Sequence, residues 1–204
     1  TNLIGGDENP INDCQSVNLS ICTFECPPGA TPEAELCNED LNGGCNMAVP
    51  AFEAIALGVD ICGNTFTSGT SRDTDWYEIT LTDPWNDLTV TGTTEVPMNI
   101  GLIQQVIPGC PGCDNTTGSF EQYFTTAPCI EGSFTVTSLP AGTYYVWAGP
   151  TVFSGLECPG YGYTIKATAV AGTPLPPNTY CADALTAVEG INNAPGQPVW
   201  YVIN

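Results

Sequence analysis

The sequence contains no histidine and has only two basic side chains, Arg72 and Lys166, among its 204 residues. Without histidine, the usual serine and cysteine catalytic triads and the commoner zinc ligand sets are excluded. Nucleic acid and anionic membrane surfaces are excluded as partners because phosphate binding requires clustered Lys and Arg. The chain also lacks an apolar run near the ~20 residues that a membrane-spanning helix requires, so we expect no membrane span.

Acidic residues, by contrast, are abundant, with 22 Asp and Glu and a formal net charge of −20. Acidic chains that are disordered are poor in aromatic residues, whereas this one carries four Trp, eight Tyr and seven Phe, so we expect a folded core. Carboxylates attract hard cations, and calcium is therefore the candidate cofactor; no organic cofactor is expected. The alternative is that the acids form a solvated surface that keeps the protein soluble.

Cysteine is frequent in every part of the chain, and this frequency predicts the disulfides of a secreted protein. Cys110-Pro-Gly-Cys113 has the spacing of redox and zinc sites, but Asp-Asn-Thr-Thr-Gly follows it where a redox site requires a helix, so structural disulfides are favoured. We expect at least four disulfides, with one cysteine left unpaired or bonded to another chain because the count of eleven is odd. The cysteines are Cys14, Cys22, Cys26, Cys37, Cys45, Cys62, Cys110, Cys113, Cys129, Cys158 and Cys181.

Two further features indicate an extracellular or cell-surface protein. The chain begins at Thr1, as expected of a mature product after processing. Asn18 and Asn115 each begin an N-glycosylation sequon, Asn-Leu-Ser and Asn-Thr-Thr, so both are candidate glycan sites.

Three parts are distinguishable along the chain. Residues 1–36 are rich in Cys, Asn, Pro and Gly and predict an extended segment held by disulfides. Residues 37–172 repeat a period of two, as in Tyr77, Ile79 and Leu81, and predict short antiparallel strands that form a β-sandwich. Residues 173–204 combine a Pro-rich linker with a final apolar strand.

Three motifs in the middle part occur in a familiar order: DWYEITL at 75–81, LPAGTYYV at 139–146 and GYTI at 162–165. Together they resemble the bacterial pre-peptidase C-terminal domain family, in a Cys-rich variety, over about residues 37–172. The resemblance implies an all-β, antiparallel, jelly-roll-like sandwich, secretion, and an accessory rather than catalytic role. It also implies that binding of calcium or of matrix polymers such as collagen is possible, since some members of the family do so.

The acids beside Arg72 allow three interpretations. A catalytic carboxylate pair requires two acids that face one another in a closed pocket, and the sequence places these acids in a turn before a strand. The acids either shape this turn through hydrogen bonds to backbone N–H groups, with Arg72 paired weakly to Asp73 or Asp75, or bind calcium. Calcium prefers six to eight oxygens, so the candidate ligand set draws on more than one segment: Asp73, Asp75, Glu39, Asp40 and Asn42.

One strand is apolar on both faces. Tyr145 and Trp147 occupy its outward positions, while Tyr144, Val146 and Ala148 point inward. An exposed sheet face is normally marked by polar residues, so we expect something to cover this one. The cover is either the N-terminal extension, another subunit or a bound glycan.

The C-terminal strand suggests how the protein assembles. Val199, Trp200 and Val202 belong to an apolar strand with no domain to complete it. We expect either that it begins a second copy of the domain in a chain that continues beyond Asn204, or that it completes the sheet of a neighbour. This strand predicts a structural subunit of an extracellular filament or surface assembly, a homopolymer that grows head to tail by β-strand addition. The alternative is a carbohydrate- or matrix-binding accessory module of a secreted enzyme, and an enzyme in its own right ranks third.

Overall fold

The computed structural model describes residue 22 and residues 24–103 and 120–174, and these residues are almost entirely β. No helix among them is long and apolar enough to cross a membrane. One 3₁₀ turn spans Gly44–Asn46. The strands are β1 Thr31–Pro32, β2 Glu53–Ala54, β3 Asp60–Thr65, β4 Thr67–Ser68, β5 Ser71–Arg72, β6 Asp75–Thr94, β7 Met98–Ile103, β8 Phe120–Thr125, β9 Gly132–Pro150 and β10 Tyr161–Ala171.

The main strands are paired in the order β1-β3-β10-β6-β9-β7-β8, with β2 added to β6 and with β4 and β5 forming a separate hairpin. The long pairs are all antiparallel, which confirms the predicted all-β sandwich for the described residues. The two parallel pairs, β1 with β3 and β2 with β6, are two residues long. Both come from the segment that precedes β3, so the N-terminal part of the chain lies along the sheet.

The two longest strands contribute to both layers of the sandwich. The first half of β6 pairs with β2 and β9, and its second half pairs with β10 and β9. Between these halves the β6–β9 register shifts twice, around Pro84. Proline cannot donate to the ladder, and a bulge bends the strand that contains it, so the pair turns from one layer into the other at this point.

The core lies between the layers and has the period of two that the sequence predicts. Tyr77, Ile79 and Leu81 are at most 2% exposed. Each fully buried large apolar side chain contributes roughly 1.5–3 kcal/mol to stability. The same core contains residues of β3, β7, β9 and β10: Ile61, Met98, Ile100, Leu102, Tyr144, Val146, Ala148, Tyr163, Ile165 and Ala167.

Disulfides attach the N-terminal segment to the sandwich. Three pairs join distant residues: Cys22 to Cys129, Cys26 to Cys62, and Cys37 to Cys158. Cys45 is disulfide-bonded as well. Every cysteine in the described part of the chain is therefore disulfide-bonded, which confirms the prediction of structural disulfides for these residues. Cys14, Cys110, Cys113 and Cys181 lie outside the described residues.

Candidate cation site and adjoining aromatic groove

Three carboxylates meet where the N-terminal segment crosses the start of β6. One oxygen from each of Glu35, Asp73 and Asp75 lies within 4.8 Å of the others. These side chains are buried: Asp75 is 0% exposed, Glu35 4% and Asp73 9%. Three buried acids at this separation repel one another unless protons or a cation neutralise them.

The fold brings these acids together from two distant segments. Asp75 opens β6, and Asp73 is held just before it by its backbone N–H, which donates to the Phe66 carbonyl at 3.1 Å. Glu35 follows β1, which is anchored by the parallel pairing with β3 and by the Cys26–Cys62 disulfide. The carboxylate of Glu35 accepts from the backbone N–H of Leu41 at 2.8 Å, so its orientation is fixed.

A fourth acid, Glu33, joins the cluster through two core tyrosines. The Tyr163 hydroxyl lies 2.7 Å from Asp75 Oδ2 and 2.9 Å from Glu33 Oε2. The Tyr77 hydroxyl lies 3.2 Å from the same Glu33 oxygen. The network therefore links Glu33 of the N-terminal segment to Asp75 of β6 through side chains from both layers.

Burial dominates the electrostatics of the cluster. The pKa of Asp73 is raised to about 8, mainly by desolvation and in addition by the nearby carboxylates of Glu35 and Glu33. The pKa of Glu33 is raised to about 7, because desolvation outweighs the hydrogen bonds from Asn64 and Tyr163 that lower it. Desolvation is also the main cause that raises the pKa values of Asp75 and Glu35. Without a cation, the cluster therefore holds protons near neutral pH.

Several oxygens of the cluster have no hydrogen-bond partner among the described residues, although all are buried: Glu35 Oε1, Asp73 Oδ2, Asp75 Oδ1 and Asn42 Oδ1. Asn42 adjoins the cluster, because its backbone N–H donates to Glu35 Oε2 at 3.3 Å. Buried polar atoms are normally satisfied, so these oxygens need either a shared proton, as between Glu35 and Asp73, or a cation. Carboxylate and amide oxygens are the ligands that calcium prefers, and the donor set fits this ion.

The structure brings together part of the ligand set predicted from sequence. Asp73 and Asp75 lie in the cluster, and Asn42 adjoins it. Asp40 acts on it through charge, since its carboxylate helps to raise the pKa of Asp73. Glu39 instead accepts a hydrogen bond from the Leu36 backbone N–H at 2.9 Å.

Sequence reasoning missed Glu33 and Glu35. The sequence feature that could have identified them is Pro-Glu-Ala-Glu, in which the two acids are two positions apart. In an extended segment this spacing places both side chains on the same side. That spacing does not say which part of the chain the two acids face, so it could not link them to Asp75.

A groove with a cavity volume of about 820 Å³ adjoins the cluster, with Asp73 in its lining. Arg72 of the β4–β5 hairpin lies in this lining beside two rings: its Cζ is 5.0 Å from the Trp147 ring centroid and 4.5 Å from that of Phe153. Its Nη1 donates to the Pro150 carbonyl at 2.7 Å. Arg72 is therefore held by aromatic faces and a backbone carbonyl.

The apolar outer face around Tyr145 and Trp147 is packed against other rings. The Phe52 ring lies 4.4 Å from Tyr145, centroid to centroid, and 6.1 Å from Trp76. Trp147 packs on Phe120 at 5.5 Å and is only 5% exposed. Aromatic pairs at these separations contribute about 0.5–1.5 kcal/mol each beyond their burial. Within the described residues, side chains of the chain itself thus cover much of this face.

The other residues singled out from sequence lie outside the described part of the chain. These are the glycosylation candidates Asn18 and Asn115 and the C-terminal strand residues Val199, Trp200 and Val202. Glycosylation and strand donation stay predictions.

Comparison with known proteins finds similarity to solved structures but no match to a family model or a curated protein. No family model matches the chain, and no curated protein is significantly similar to it in sequence. Among solved structures, the 1.0 Å crystal structure of the pre-peptidase C-terminal domain of collagenase from Bacillus anthracis is similar. It shares 16% sequence identity, covers 60% of this chain and 100% of its own, and superposes with a TM-score of 0.40. At this level no residue role is transferred, and the chain's chemistry rests on its own side chains.

Proposed function

We propose that this chain is a secreted, non-catalytic binding module whose native state is completed by calcium and whose aromatic groove binds a carbohydrate or matrix polymer. The observation that carries the proposal is the set of unpartnered, buried oxygens on Glu35, Asp73 and Asp75 beside that groove. The disulfides support secretion, because such bonds persist in oxidising compartments.

The chemistry of the cluster favours calcium over other cations. All the available donors are oxygens, whereas zinc and copper sites draw on histidine and thiolate, and the chain has no histidine. Glu35, Asp73, Asp75 and Asn42 would hold the ion, with water completing the six to eight oxygens that calcium takes. Magnesium demands a stricter octahedral geometry at shorter distances and keeps its own water, so buried protein carboxylates suit it less well.

A binding role is favoured over catalysis by the position of the acids. Asp75 is fully buried and hydrogen-bonded to Tyr163, so a substrate has no access to it. The groove, in contrast, combines indole and phenyl rings with hydroxyl side chains. Rings stack on the apolar faces of sugars, and hydroxyls exchange hydrogen bonds with theirs, so this lining suits a glycan.

Calorimetric titration of the chelator-treated full chain tests the calcium site, with magnesium as the comparison ion. We expect one calcium to bind, with little heat from magnesium at the same concentration. Co-sedimentation with insoluble polysaccharides and with collagen fibres, in calcium and in chelator, tests the binding role. Absence of calcium binding would refute the cation site, and absence of retention on every polymer would refute the binding module.

A second candidate function is the filament subunit that grows by strand addition. Strand addition requires an open sheet edge, and β8 pairs only with β7 among the described residues. An open edge accepts an additional strand through main-chain hydrogen bonds. The proposed donor, the strand from Val199 to Ile203, lies outside the described residues.

A further inference from the structure

Arg72 differs from the chain's other basic residue in what it contacts. Lys166 pairs with Asp60 at 2.7 Å, which is the ordinary arrangement for a cation in so acidic a protein. Arg72 forms no ion pair within the part of the chain that the structure describes, despite 22 acidic residues in the sequence. It contacts rings instead, in the lining of a large groove. A guanidinium in this position is available to an anionic ligand.

Among the described residues, few acceptors contact the donors of Arg72. A guanidinium carries five N–H donors in a rigid fork, and the Pro150 carbonyl is the one acceptor that this fork meets among the described residues. The Trp147 and Phe153 rings pack beside it and limit its rotamers. A fork held in one orientation loses little entropy when it binds a carboxylate through two parallel hydrogen bonds.

The groove around this fork has the lining of a sugar site. Phe153 is 56% exposed, so its ring is available for stacking. Ser68, Thr70 and Ser71 of the β4–β5 hairpin supply hydroxyls along the same lining. The cavity volume of about 820 Å³ lies within the ~300–1,000 Å³ usual for ligand sites and accommodates a short oligosaccharide.

We infer that this groove binds a glycan that carries a carboxylate, a uronic acid residue, with the Arg72 fork on the carboxylate and the Phe153 ring stacked on the sugar. The inference rests on the proposed binding function and specifies its ligand class. The net charge of −20 repels densely charged polyanions, so the favoured glycan has isolated uronic acids among neutral sugars. Glu39, Asp40 and Asp73 also line the groove, so a bound carboxylate has to lie on the Arg72 side of it, and calcium at the adjacent cluster would offset the Asp73 carboxylate.

The test compares short oligosaccharides that contain one glucuronic, galacturonic or mannuronic acid with their carboxyl-reduced counterparts, which differ only in that group. Titration calorimetry is performed on the full chain in calcium. We expect the uronic acid form to bind at least tenfold more tightly than its reduced partner, and Arg72→Gln to abolish this difference. Loss of a charge-assisted, bidentate pair corresponds to a roughly tenfold to hundredfold loss of affinity.

Lys166→Gln is the matched control, because it removes the same charge at a site that is already ion-paired, and it should bind as the unchanged protein does. Arg72→Lys keeps the charge without the fork and should recover only part of the selectivity. If Arg72→Gln does not fold, Phe153→Ala at the exposed ring provides the second test and should weaken binding of both forms.

Each alternative outcome is decisive. Equal binding of acidic and reduced oligosaccharides, or selectivity that survives Arg72→Gln, overturns the inference and leaves the binding module intact. Binding of peptides with a free C-terminal carboxylate, but of no glycan, overturns the glycan as ligand. Retention of no glycan and no matrix polymer overturns the proposed function together with the inference.

Discussion

The hydroxyl oxygens of Tyr77 and Tyr163 lie 2.5 Å apart in the core, although the residues are 86 positions apart in the chain. Tyr77 belongs to β6 and Tyr163 to β10, and both side chains are fully buried. Two buried hydroxyls that share one hydrogen bond still need a further acceptor, and the carboxylates of Asp75 and Glu33 provide it. The same contact that joins the layers therefore orients the carboxylates of the candidate cation site.

Tyr163→Phe should lower the free energy of unfolding by about 1–3 kcal/mol, because it leaves the buried Asp75 Oδ2 without its hydrogen-bond donor and leaves the Tyr77 hydroxyl with Glu33 alone. Urea unfolding followed by tryptophan fluorescence measures the effect. Tyr123→Phe is the control, since Tyr123 is 54% exposed and its substitution should change stability by less than about 0.5 kcal/mol. Equal stability of both variants would show that the network contributes nothing.

Asp75→Asn should remove the stabilisation that calcium confers on the unchanged protein. Calcium at a hundredfold excess over its Kd stabilises the native state by about 2.7 kcal/mol through mass action. Thermal melts in calcium and in chelator should differ for the unchanged protein and coincide for the variant. Asp83→Asn, at an exposed position, should keep the full calcium shift. A shift that persists in Asp75→Asn would place the calcium elsewhere.

The metal-free protein should lose stability as pH rises from about 5 to 9. The folded-state pKa values of Asp73 and Glu33 are raised to about 8 and about 7, so the native state binds more protons than the unfolded chain in this range. The stabilising contribution is present at low pH and is lost as pH rises through the folded pKa values, at up to about 1.4 kcal/mol per pH unit for each proton.

Thermal melts at several pH values, with chelator and with calcium, measure this dependence. Calcium replaces the protons, so its presence should flatten the decline, and the apparent calcium affinity should increase with pH. A metal-free melting temperature that rises between pH 5 and 9 would contradict the assignment of raised pKa values to this cluster.

Replacing both Cys37 and Cys158 by Ala should lower the free energy of unfolding by about 2–5 kcal/mol, because their disulfide closes a loop of 121 residues and joins the N-terminal segment to the loop before β10. Chemical denaturation measures the loss. Intact mass before and after reduction should also show at least four disulfides in the unchanged protein. Mostly free thiols in native material would contradict both expectations.

Deleting residues 181–204 should abolish assembly if the C-terminal strand adds to a neighbour's sheet, because an isolated strand is stable only on an existing edge. Size-exclusion chromatography and negative-stain imaging compare the full and shortened chains. Trp200→Asp should weaken assembly without lowering the melting temperature of the sandwich. Filaments from the shortened chain, or a full chain that stays monomeric, would exclude strand donation and favour the accessory module.

Local sequence determined the strands of this protein. Apolar residues alternate with polar ones at Tyr77, Ile79 and Leu81, and this alternation is visible in the sequence itself. Because the pleat of a strand places every second side chain on one face, the buried face could be predicted. The cysteine count similarly favoured disulfides, because the absence of histidine excludes the commoner zinc ligand sets.

Tertiary structure alone decided which side chains meet. Glu35 and Asp75 are 40 residues apart and become neighbours through the β1–β3 pairing and the Cys26–Cys62 disulfide, neither of which has a local signal. Sequence therefore identified Asp73, Asp75 and Asn42 as candidate ligands but not Glu33 or Glu35. Likewise, Arg72 looked like the partner of its adjacent acids, and only the fold placed it beside Trp147 and Phe153. Strand formation depends on near neighbours, whereas a site depends on contacts between strands, and their register is a property of the whole fold.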